Sequence, residues 1–117
     1  MNFDFFLENS YIISELLTKR YSTSFSLATS LLEKEKRKAI YALYGFVRIA
    51  DEIVDSFDGY DKEFLLKKLE EDFSYTLNNG ISSNPILVSF ADTVKNFGIN
   101  PQYIDSFLES MKMDLYS

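Results

Sequence analysis

Apolar residues recur along this chain at three- and four-residue intervals and nowhere alternate. Leu65, Leu69, Phe73 and Leu77 step by four, which lines one side of a helix. Phe90, Val94 and Phe97 repeat the pattern, and Ile104, Phe107, Leu108, Met111 and Leu115 repeat it again. The ends of these runs carry matching punctuation. Asn84-Pro85 and Asn100-Pro101 each read as an N-cap followed by proline at the first helical position, where its missing N–H costs nothing. Gly80 and Gly98 stand where a helix would stop, because glycine enters the left-handed conformation freely. The pattern predicts helices over 3–20, 33–57, 61–78, 85–97 and 101–116. Tyr21 to Leu32 is expected to be a loop running into a short turn of helix. No strand period or internal repeat survives, so the expected fold class is all-α.

Composition narrows the chemistry. The 117 residues include no His and no Cys, which removes Ser/His and Cys/His catalytic pairs, thiolate nucleophiles, disulfides and His- or Cys-based zinc sites. Any chemistry must use carboxylates, Arg or Lys, hydroxyls, aromatic faces or a hard cation held by oxygen. Twelve basic against 18 acidic side chains leave a net charge of -6, which argues against nucleic acid as a partner. No window of 18 uninterrupted apolar residues exists to span a bilayer, and the acidic start of the chain lacks the basic region of a secretion signal. We expect a cytoplasmic, soluble protein.

The most informative stretch runs from Lys38 to Asp55. At 100° per residue, Tyr44, Arg48, Asp51 and Asp55 fall within about 60° of one another. Ile40, Leu43, Val47, Ala50 and Val54 form the neighbouring apolar stripe, so the carboxylates are expected to border the buried face. Two acids one turn apart beside an apolar wall repel each other and need a cation. Arg48 supplies one charge, and Mg2+ is a natural second partner for paired oxygens. The same spacing occurs at Asp4/Glu8 and Asp105/Glu109, so on its own it reads more readily as a solvated helix edge than as a metal site. Ahead of this helix lies Tyr21-Ser22-Thr23-Ser24-Phe25-Ser26. Its hydroxyls either donate to an anion or simply cap a helix.

Taken together, Ser-x-Ser-Phe followed by Tyr-x-x-x-Arg-x-x-Asp-x-x-x-Asp resembles the N-terminal part of the squalene/phytoene synthase family. The whole stretch YSTSFSLATSLLEKEKRKAIYALYGFVRIADEIVDSF carries the likeness, with ALYGFVRIADEIVD most similar to bacterial phytoene synthases. The resemblance implies an isoprenoid-synthase helical bundle. It also implies head-to-head condensation of two prenyl diphosphates through a cyclopropylcarbinyl diphosphate. By position, it implies that Asp51 and Asp55 hold Mg2+ on a substrate diphosphate, and that Arg48 contacts that diphosphate. Tyr44 would line the same site, and Ser22, Ser24 and Phe25 would belong to the loop closing over it. Glu52 stands where many members have Asp, and Asp114 in MKMDL matches an acidic position on a later helix.

The family's second aspartate-rich motif has no counterpart here. Residues 1–117 are therefore expected to be the N-terminal portion of one synthase domain, with its C-terminal part absent. The implied substrate is geranylgeranyl diphosphate in carotenoid biosynthesis, with farnesyl diphosphate going to squalene or dehydrosqualene as the rival. A non-catalytic helical interaction module is the reading from a different class. The 117 residues alone are expected to be inactive and to self-associate through apolar faces left uncovered. Membrane contact is expected at most peripherally, because the product would be a lipid.

Overall fold

The computed structural model describes residues 3–116, and six helices account for most of them. They are α1 (Phe3–Tyr21), α2 (Thr23–Thr29), α3 (Lys34–Ser56), α4 (Lys62–Asn79), α5 (Pro85–Asn96) and α6 (Pro101–Asp114). Among the described residues there is no strand, and the chain is all-α. The punctuation works as its chemistry dictates. The Asn84 side chain accepts from the N–H groups of Ile86 and Leu87, and Asn100 accepts from Gln102. Gly80 closes α4 with φ of 78°, a left-handed conformation that a Cβ would strain.

The main departure from expectation is α2. Ser22 has extended backbone, and its hydroxyl accepts from the Phe25 N–H at 3.1 Å, so the hydroxyl-rich stretch starts a seven-residue helix at once, in place of the expected loop leading into a short helical turn. Seven residues are too few to be stable alone. This helix persists because Ser26 and Thr29 are buried and the Phe25 ring stacks on Tyr44 of α3.

The core forms where α3, α4, α5 and α6 converge on Phe46. Its ring stacks on Phe90 with centroids 4.2 Å apart, and it meets Phe73 at 5.7 Å and Phe107 at 6.2 Å. Leu66, Leu87 and Leu108 are fully enclosed around this cluster. Phe97, expected on the inner face of α5, is instead 54% exposed, because α5 ends at Asn96 and the chain turns at Gly98.

α1 is held differently. Ser10, Ser14 and Thr18, one turn apart in succession, are fully buried, while Ile12 and Leu16 face outward. The buried hydroxyls mesh with α5. Ser10 accepts from the Ser89 N–H at 2.8 Å and donates to the Pro85 carbonyl, and the Ser14 and Ser89 hydroxyls lie 2.8 Å apart. Tyr11 donates to Asp92 at 2.6 Å. Small side chains also let α1 approach α3, where Ser14 lies beside Gly45. Lys38 sits over the Tyr11 ring and Arg48 over the Tyr21 ring, so α1 and α3 run in the same direction.

Candidate functional site

The face of α3 carrying Tyr44, Arg48, Asp51 and Asp55 borders the buried side at its edges, where Tyr41 is enclosed and Leu43 and Val54 pack partly buried against the core. The buried residues of α3 are Ala39, Tyr41, Ala42, Gly45, Phe46, Ala50 and Ile53. Most of them lie roughly opposite the charged positions at 100° per residue, whereas Tyr41 falls within about 20° of Arg48. Of the expected apolar stripe only Ala50 is buried, and Val47 is 37% exposed. Four small residues with Tyr41, Phe46 and Ile53 face inward where α1, α4 and α5 press close, and Leu43 and Val54 of the stripe pack partly buried against the core.

The charged face is nonetheless organised. The Arg48 side chain retains 21% exposure. Its Nη2 donates to Glu52 Oε1 at 2.7 Å, and Nη1 lies 3.7 Å from Asp51 Oδ2. The guanidinium carbon is 5.0 Å from the centre of the Tyr21 ring at the end of α1. Among the described residues, Arg48 Nε is the buried side-chain atom left with no hydrogen-bond partner. Burial favours a neutral guanidinium, but Glu52 and Asp51 outweigh it and hold the Arg48 pKa above its ordinary value. Nε itself is enclosed, but Nη1 stands beyond hydrogen-bond distance of Asp51, so this charged arginine keeps Nη hydrogens able to donate to a further anion.

The serine-rich turn lies alongside. The Phe25 ring stacks on Tyr44 at 5.1 Å with 27° between planes. Ser22 is half-buried and occupied as the α2 cap, whereas Ser24 is exposed on the first turn of α2. The capping role weighed from the sequence is therefore the one seen for Ser22, and its hydroxyl hydrogen is still able to donate. Asp51 is half-exposed and Asp55 exposed on successive turns. Asp114 ends α6 and is exposed. Among the described residues, no three acidic side chains come together as a metal site.

Two contributors escaped the sequence reading. Glu52, taken as a conservative change, makes the shortest bond to Arg48. Tyr21 packs on the same guanidinium, and the available signal was its place directly before the capping serine.

Comparison with known proteins settles the family. A family model described as squalene/phytoene synthase matches residues 18–117. The chain belongs to that family. It is 31% identical over 114 residues to a 4,4'-diapophytoene synthase of Staphylococcus haemolyticus, covering 92% of this chain and 38% of that relative. It is 30% identical over 114 residues to a chloroplastic phytoene synthase of an Oncidium hybrid cultivar, covering 95% of this chain and 27% of the relative. A 15-cis-phytoene synthase of Synechococcus elongatus is 29% identical over 109 residues, covering 93% and 35% respectively. The chain thus spans little more than a third, or less, of each of these relatives. No helix among the described residues is long and apolar enough to cross a membrane.

Proposed function

We propose that this chain supplies a diphosphate-gripping part of a phytoene synthase-like prenyltransferase. The reaction would be Mg2+-dependent, head-to-head condensation of two geranylgeranyl diphosphates in carotenoid biosynthesis. The observation that carries this reading, beside family membership, is Arg48: a charged, partly exposed guanidinium whose Nη1 stands beyond hydrogen-bond distance of Asp51, on the same face as two successive-turn carboxylates.

Asp51 and Asp55 would hold the metal. Two carboxylates suit Mg2+, which usually keeps several waters and takes its remaining oxygens from phosphate groups. Bound there, the ion would neutralise charge on the departing diphosphate. Arg48 would donate to the same leaving group, fixed in advance by Tyr21 and Glu52 so that little reorganisation is needed. Ser22 and Ser24 would donate hydroxyls from the first turn of α2. The stacked rings of Tyr44 and Phe25 offer π faces to positive charge developing on the allylic carbon.

A second reading keeps the reaction and shortens the substrate to farnesyl diphosphate, giving squalene or dehydrosqualene. The Staphylococcus relative is named for diapophytoene, not phytoene, and that difference supports it.

The 117 residues alone are expected to show no turnover. Exposed Ile12, Leu16, Leu27 and Leu31 support self-association of this chain, which a strict monomer in light scattering at high concentration would refute. The decisive assay uses a protein of the relatives' full length. Asp51→Asn with Asp55→Asn should abolish product formation while leaving the helical circular dichroism intact. Unchanged turnover in that variant overturns the assignment. An unmutated protein that binds a partner but makes no product is the helical interaction module instead.

A further inference from the structure

We propose that Tyr21 is a positioning residue, whose ring holds the Arg48 guanidinium without consuming any of its N–H donors, so that its Nη1 stays available to an anion. The inference rests on reading Arg48 as a diphosphate ligand. Its physical basis is the geometry around one side chain. Arg48 sits on α3 with Glu52 at 2.7 Å and Asp51 at 3.7 Å, both on its own helix and both on the C-terminal side. These two acids alone would draw the guanidinium along α3 and let it swing with them. The Tyr21 ring comes from α1, a different helix, and lies 5.0 Å from the guanidinium carbon. A ring contact attracts the cation without using any of its N–H donors. An acid in the same place would consume a donor and cancel the charge. The contact therefore adds restraint and leaves hydrogen-bonding capacity intact on Nη1, which lies 3.7 Å from Asp51, while Nε is enclosed.

The Tyr21 side also explains how the anion end of the site is assembled. Tyr21 closes α1, and the next residue, Ser22, caps α2. One short connection thus fixes the arginine through its first residue and starts the Ser24–Phe25 turn through its second. Phe25 in turn stacks on Tyr44, four residues before Arg48 on α3. Arg48 is held from α1, and its neighbour on α3 is held from α2.

The test uses the intact 117-residue chain with Tyr21→Leu and Tyr21→Phe variants. Tyr21 is about half exposed, so neither substitution empties the core. The Nε–H resonance of Arg48 is followed by nitrogen-15 NMR, and inorganic pyrophosphate with Mg2+ is titrated by calorimetry. Tyr21→Leu should shift the Arg48 Nε–H resonance, speed its exchange with water and weaken pyrophosphate binding about two- to fivefold. Tyr21→Phe should retain both properties, since the ring and not the hydroxyl makes the contact. In an Arg48→Ala background, Tyr21→Leu should cause no further loss. The proposal is overturned if Tyr21→Leu leaves resonance and affinity unchanged, or if Tyr21→Phe disturbs them equally. No pyrophosphate binding by the wild-type chain would instead refute the diphosphate reading, and the Arg48 resonance would still decide whether Tyr21 restrains the guanidinium.

Discussion

Gly45 offers a sharp test of how closely α1 and α3 approach. It lies in the interior of α3, where glycine costs about 1 kcal/mol relative to alanine through the backbone freedom lost on folding. A Cβ placed there would lie 3.4 Å from Ser14 Oγ, 3.5 Å from Ser14 Cβ and 3.6 Å from Ile86 Cδ1. These are the near edge of ordinary contact, so one methyl fits. Its burial adds up to roughly 0.8 kcal/mol. Part of that gain is offset because the Ser14 hydroxyl, 2.8 Å from that of Ser89, is not free to withdraw. Gly45→Ala should therefore stabilise the chain by about 1 kcal/mol, raising the urea midpoint by about 0.5 M at a slope near 2 kcal/mol/M. Gly45→Leu has no such room and should destabilise by about 1–3 kcal/mol. Equilibrium urea unfolding followed by circular dichroism measures both. A Gly45→Ala protein less stable than wild type by 1 kcal/mol would refute the packing described between α1, α3 and α5. It would also undercut the placement of Tyr21 over Arg48, because Gly45 lies one turn before Arg48 on the same helix.

Other substitutions probe the core and the polar seam. Phe46→Ala should cost about 3–5 kcal/mol, since it removes the ring on which Phe73, Phe90 and Phe107 converge; a loss under 1.5 kcal/mol in denaturant unfolding would contradict that packing. Burial, reinforced by the hydrogen bond to Asp92, pushes the Tyr11 pKa well above the ordinary tyrosine value of about 10. A raised folded-state value stabilises the fold below pH 10, and that contribution is lost as pH rises from there toward the folded value. Thermal unfolding between pH 8 and 11 should show a steeper loss in wild type than in Tyr11→Phe, and parallel profiles would exclude the effect.

Much of this architecture is legible in the sequence because it rests on local chemistry. Asn-Pro pairs and Gly80 set helix ends through their own side chains and backbone, with no help from tertiary contacts. The face of α6 that starts at Ile104 is apolar at helical spacing and is buried accordingly. The helical period fails as a guide where a face is buried through small or polar residues. On α1 the inner positions are Ser10, Ser14 and Thr18, polar residues buried because α5 supplies partners for the two serines and Thr18 donates back to the Ser14 carbonyl of its own helix. On α3, Ala39, Ala42 and Gly45 are inner because neighbouring helices come close, and the larger Val47 is left outside. The charged face was found by spacing and family likeness. Its internal wiring was not, because Tyr21 reaches Arg48 from another helix and Glu52 wins the arginine through reach that its type alone does not disclose.

The central claim is that the α3 face around Arg48, Asp51 and Asp55 holds a metal-bound diphosphate. Paramagnetic broadening by Mn2+, added with pyrophosphate to the labelled chain in place of Mg2+, tests this most directly. The account predicts that amide signals fade first around residues 48–55 and 21–25. Broadening centred on the acidic cleft of Asp4, Glu8 and Asp92, or none that depends on pyrophosphate, would contradict it.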